Sequence, residues 1–193
     1  MIIPHSLQKL PEGTRNALHT ARLIISYWDS DLFEHSEHVA RELLSLAPGG
    51  LEEEWYWAGL LHDIGKVTLA PEVLNKRGTL TPRERRIVQR HSLKGAALLK
   101  QIGAPQIVVQ GAKVHHERWD GRGYPYDIRE TQIPLVGRVL AVADVYAALT
   151  SDRPYRRAFT ADQARAEIER NAGSQFDPKV VARFFGRESN ASR

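Results

Sequence analysis

Two short stretches hold residues able to do chemistry. HDIGK at 62–66 sets His62 beside Asp63 with Lys66 three residues on, and HHERWDGRGYP at 115–125 sets His115 beside His116 ahead of a loop with two separate glycines. Imidazole and carboxylate are metal ligands, and imidazole binds in its neutral form. The chain contains no cysteine, which excludes disulfides, thiolate metal sites and cysteine nucleophiles. Any metal must therefore take nitrogen and oxygen donors, a set that suits iron, zinc, manganese or nickel.

Helices have to bring these residues together. Apolar side chains recur every three or four positions, which argues for amphipathic helices rather than strands and predicts an all-α fold: a single helical bundle with a multinuclear metal site in its core. Helices are expected over 14–28, 31–47 and 51–64, with Gly65 as a left-handed C-terminal cap. TPRE at 81–84 marks the next start, with Thr81 as N-cap, Pro82 in the first turn and Glu84 completing a capping box, in a helix that also carries Ile87 and His91. A further helix is expected over 105–117, another opens near Pro134, and two last ones start at TADQ (160–163) and DP (177–178). His35, His62, His91, His115 and Asp144 then fall on the apolar stripes of five different helices. Burying such groups without partners costs a few kcal/mol each, against a total domain stability of ~5–15 kcal/mol, and a shared divalent cation removes that cost. Asp63 could bridge two ions ~3.5–4 Å apart, a pair able to activate water and stabilise charge on a phosphoryl group. Lys66 would serve as a cationic partner for phosphate oxygens.

The bulk composition narrows the setting. A length of 193 residues, 42% hydrophobic and 26% charged, is that of one globular domain. Net charge is +4, but there is no Lys/Arg-rich run or aromatic-basic pattern, so DNA is not expected as a partner. No apolar stretch approaches the ~20 residues needed to cross a bilayer, and the first residues lack the pattern of a signal peptide, so no membrane role and a cytoplasmic location are expected.

Taken together, LLHDIGKVTLAPEVLNKRGTLT, RHSLKGAALL, HHERWDGRGYP, ADVYAALTSDRPYR and GSQFDPKVV resemble the HD-GYP group within the HD superfamily of metal-dependent phosphohydrolases, over about residues 33 to 185. The resemblance implies a phosphodiesterase that hydrolyses cyclic di-GMP to pGpG or GMP, using two divalent ions, three in some members, with iron or manganese as the metal. It implies metal ligation by His35, His62, Asp63, His91, His115, His116 and Asp144; His116 rests on the resemblance alone. It gives Lys66 and Asp63 catalytic roles. Gly123, Tyr124 and Pro125 of the glycine loop, with Arg153 and Arg156 of SDRPYR, would hold the substrate. The same loop could meet a signalling protein. The implied organisation is an N-terminal helical segment over 1–30 packed on the core, an HD-GYP domain over 31–186, and a frayed tail over 187–193.

Some positions depart from the family pattern. Ala147 stands where a second aspartate is usual, and His38 replaces an arginine. Ala147 motivates two alternatives: a catalytically weak cyclic-dinucleotide-binding or protein-docking module, or a phosphohydrolase for another cyclic dinucleotide. Members with a third metal hold it with a glutamate one helical turn before the first histidine. Asp31, four residues before His35, is a shorter acid at a helix start, and the N-cap reading is preferred there over ligation. His5 and His19 lack a motif and are expected at the surface or in the core.

Overall fold

In the computed structural model, residues 9–74, 76, 78–152 and 157–186 are described, and no strand occurs among them, only an isolated bridge between Ala172 and Phe176. The helices are α1 (Glu12–Trp28), α2 (Ser30–Leu46), α3 (Glu52–Leu61), α4 (Pro71–Leu74), α5 (Pro82–Gln89), α6 (His91–Gln101), α7 (Gln106–Val114), α8 (Leu135–Thr150), α9 (Ala161–Arg170) and α10 (Pro178–Gly186). Short 3₁₀ helices cover Ile64–Thr68 and Glu130–Gln132. The expected all-α bundle is what forms, and among the described residues no helix is long and apolar enough to cross a membrane.

The core is organised around α3. After three acidic residues that suit the positive end of the helix dipole, every side chain from Trp55 to Leu61 is buried. A helix apolar on all sides belongs at the centre of a bundle. Trp55 and Ala58 join one cluster with Val39 and Leu43 of α2, Leu140 of α8 and Phe184 of α10, while Trp57 and Leu60 join a second with Leu18 and Ile25 of α1, Leu99 of α6 and Val108 of α7. The helix shared by both clusters ends at Leu61, so His62 and Asp63 emerge buried between them.

Several expectations need correction. Gly65 is not a left-handed cap; it lies in the 3₁₀ helix against α6, where an added Cβ would sit 1.9 Å from the His91 carbonyl oxygen. Its role is close approach. The segment from Pro82 through His91 is two helices, not one. Arg90 donates its N–H to the Ile87 and Val88 carbonyls, tightening the end of α5, and its own carbonyl starts α6. The helix expected to reach residue 117 stops at Val114. The N-cap of α2 is Asp29, whose carboxylate accepts from Leu32 N at 2.9 Å, because the helix begins at Ser30; Asp31 falls inside the first turn and is exposed. The capping boxes Thr81/Glu84 and Thr160/Gln163 form. Arg153, Arg156, His5 and the tail over 187–193 lie outside the described residues.

Candidate metal centre

Three histidines sit at helix ends and are fixed in the same way. His62 follows α3, His91 opens α6 and His115 follows α7. In each, Nδ1 lies against the carbonyl three residues back: 2.7 Å to Gly59 O, 2.7 Å to Val88 O and 3.0 Å to Ala112 O. A carbonyl can only accept, so each Nδ1 carries the proton and each Nε2 presents a lone pair inward.

Those lone pairs meet one another. His91 Nε2 lies 3.4 Å from His115 Nε2, and both face Asp63 Oδ1, at 3.1 and 3.6 Å. On the other side His62 Nε2 is 3.4 Å from Asp63 Oδ2, and Lys66 Nζ pairs with that same oxygen. His35 Nε2 contacts Asp144 Oδ1 at 2.8 Å. The ligand atoms form two groups, each within 4.8 Å: Asp63 with His91, His115 and His116, and His35 with His62 and Asp144. The two Asp63 oxygens face one group each.

Imidazole acceptors aimed at each other and at a carboxylate repel unless a positive charge sits between them. His62 Nε2 and Asp63 Oδ1 are buried without a hydrogen-bond partner. Such orphaned acceptors at the centre of a bundle fit a cation, and the absence of sulfur fits a borderline-to-hard one. The ionisation states of His115, His116, Asp63 and Asp144 agree, and His62 runs the other way. Burial pushes His115 and His116 down, so both are neutral at pH 7. Burial opposes charge on Asp63, but Lys66 and His62 outweigh it and hold the carboxyl well below the usual range. Asp144 is likewise held low against its burial, chiefly by His35. His62 is raised: its burial disfavours charge, and Asp63 overcomes this.

The centre forms the floor of a cleft of ≈ 980 Å³ reached by His35, Asp63, His116 and Asp144, with Lys66 and Asp31 at its side. Asp31 belongs to neither ligand group. His38 also lines the cleft, with Nε2 3.8 Å from Glu42. Ala147 does not line it; the residue is fully buried in the core.

The glycine loop closes the opposite side. Gly121 adopts φ +78°, and at Gly123 a Cβ would lie 2.5 Å from Arg118 N, so one glycine serves a turn and the other a close approach. Tyr124 stacks on His116 with ring centroids 4.7 Å apart. Glu117, only 2% exposed, accepts Tyr126 N at 2.7 Å and thereby spans the loop. Sequence reasoning did not assign this residue. Its one signal was an acid directly after the histidine pair, at a position too enclosed for a solvated side chain.

The HD domain family model matches residues 14–180. The chain belongs to the HD domain family and is of its HD-GYP type. It is 36% identical over 175 residues to a cyclic di-GMP phosphodiesterase of Thermotoga maritima, covering 87% of this chain and 48% of that protein. It is 42% identical over 164 residues to a cyclic di-GMP phosphodiesterase of Pseudomonas aeruginosa, covering 81% of this chain and 39% of the relative. The chain thus spans half or less of the length of these relatives. Among solved structures, a Vibrio cholerae phosphodiesterase described as specific for cyclic GMP-AMP superposes with a TM-score of 0.65 at 19% identity, over 89% of this chain and 49% of that one, a likeness of fold.

Proposed function

We propose that this chain is a metal-dependent phosphodiesterase acting on cyclic di-GMP in bacterial second-messenger signalling, yielding pGpG, GMP or both. The observation that carries the reading is the convergence of seven imidazole and carboxylate side chains in two groups, with the two Asp63 oxygens facing one group each, beside a cleft large enough for a dinucleotide. His35, His62 and Asp144 would hold one divalent ion, and His91, His115 and His116 another, with Asp63 between them. Iron and manganese suit the donors. Such ions, when bound, supply water activation and neutralise charge on a phosphoryl group.

The chain's own residues do the rest. Lys66 is held at the cleft by Asp63 and places a cation beside the scissile phosphate. Gly123, Tyr124 and Pro125 shape the substrate side of the loop, and Arg153 and Arg156 are proposed to bind phosphate oxygens through bidentate guanidinium forks. Asp31, at the edge of the cleft, is the candidate for a third ion. The exposed Tyr126 of the same loop, 45% accessible, is a candidate contact for a signalling protein.

The test is incubation of manganese-loaded or anaerobically iron-loaded protein with cyclic di-GMP, with products resolved by chromatography. Appearance of pGpG or GMP is expected; no turnover with either metal overturns the reading. Cyclic GMP-AMP in parallel decides whether another cyclic dinucleotide is preferred, an alternative that the substrate of the Vibrio cholerae neighbour brings forward.

A further inference from the structure

His116 and Asp144 separate two recesses. One is the large cleft; the other, ≈ 300 Å³, lies beneath the glycine loop. The smaller recess is lined by Ala141 and Val145 of α8 and by Tyr124, with His115, Glu117 and Arg122 among its polar side chains. Gln89, the last residue of α5, and Gln175 of the segment before α10 also line it. Both glutamines are half-buried, and their side-chain amides have no hydrogen-bond partner among the described residues. Arg118 also lines the recess, but its guanidinium is already held by Asp120 at 3.0 and 2.8 Å.

The walls are tied together. Trp119 N donates to Gln175 O at 3.1 Å and Asp120 N to Ser174 O at 2.8 Å, so the glycine loop and the segment before α10 pair as two backbones. A largely polar lining that also holds an aromatic ring, a small apolar patch and two uncommitted amides suits a planar heteroaromatic ligand: the ring and the apolar patch cover its faces, and each amide offers a donor and an acceptor to its edge. A volume near the bottom of the usual roughly 300–1,000 Å³ range for ligand sites suits one base and not a dinucleotide. A phosphodiester carries a nucleoside on each side, and this centre has a recess on each side.

We propose that the recess beneath the glycine loop is a nucleobase subsite, in which Gln89 and Gln175 bind the edge of one purine of a cyclic or linear dinucleotide while its phosphodiester lies over His116 and Asp144. The inference rests on the phosphodiesterase reading for its biological ligand, but the subsite can be probed without turnover. The probe is guanosine, which lacks a phosphate and so does not depend on the metal centre. Its affinity is measured by saturation-transfer NMR on the metal-loaded wild type and on Gln89→Ala and Gln175→Ala, with circular dichroism to verify folding. The amides stand on different elements, so one variant remains informative if the other misfolds. Each substitution should weaken guanosine about tenfold, as loss of a hydrogen-bonding partner implies, and should raise KM for cyclic di-GMP more than it lowers kcat. No guanosine binding by the wild type, or unchanged affinity in folded variants, overturns the subsite. Guanosine binding that depends on the two glutamines, without any turnover of cyclic di-GMP, instead overturns the activity and leaves the subsite standing.

Discussion

At the scale of single residues, Asp63 is the group on which the centre turns, because its two oxygens serve different ligand groups. Asp63→Ala should abolish metal retention and lower turnover by more than ~100-fold, since even partners behind the ligands are worth 10–100-fold; elemental analysis and a product assay check both. Glu117→Ala should leave the metal in place and raise KM, because it releases Tyr126 N and loosens the loop while touching no donor atom. Full metal content with an unchanged KM would show that the loop holds without it. All seven side chains that converge here were legible in the sequence: five fell on apolar stripes, Asp63 adjoined one of them, and His116 came from the motif. What spacing could not show is the proton on each Nδ1, because that depends on a carbonyl three residues back at a helix end. Ala147 was readable as a departure, yet its place in the core and away from the cleft follows from packing of α8 that no local pattern encodes.

Among the elements, the approach of the 3₁₀ helix to α6 is the tightest requirement. Gly65→Ala would drive a Cβ to 1.9 Å from His91 O and 2.6 Å from Gly95 N, both backbone atoms unable to rotate away. Overpacking of this kind costs about 1–3 kcal/mol or more, readable as a lower urea midpoint. The start of α5 offers a pH test. Glu84, bonded to Lys76 and Thr81, is pulled from the ordinary 4.5 down to about 2. A depressed acid stabilises the fold fully above its unfolded value and loses that contribution as pH falls through its folded value, so the effect should fade between pH 4.5 and about 2. Thr81→Ala should remove about 1 kcal/mol at neutral pH, measured by denaturant unfolding. The sequence located this start because proline, threonine and glutamate each act locally. It did not reveal the break at Arg90, where no glycine or proline stands and tertiary packing turns the chain so that His91 faces inward.

For the molecule as a whole, ion binding and folding should be coupled, since the proposed ligands come from helices across the bundle and their lone pairs oppose one another when no cation lies between them. Adding manganese to chelator-treated protein should raise the melting temperature by about 5–10 °C at saturating metal, following from ~2.7 kcal/mol at 100-fold excess over Kd and ~2–4 °C per kcal/mol at this size. An unchanged melting temperature would mean that the ions contribute nothing to folding. The backbone pairing of Trp119 with Gln175 and of Asp120 with Ser174 has a further consequence. Because these bonds join main-chain groups, replacing the side chains of Ser174 or Gln175 should leave the roof of the pocket braced, whereas a cut after Arg170 would remove the strap together with the core side chains Phe176, Val180, Phe184 and Phe185 and should cost the fold itself.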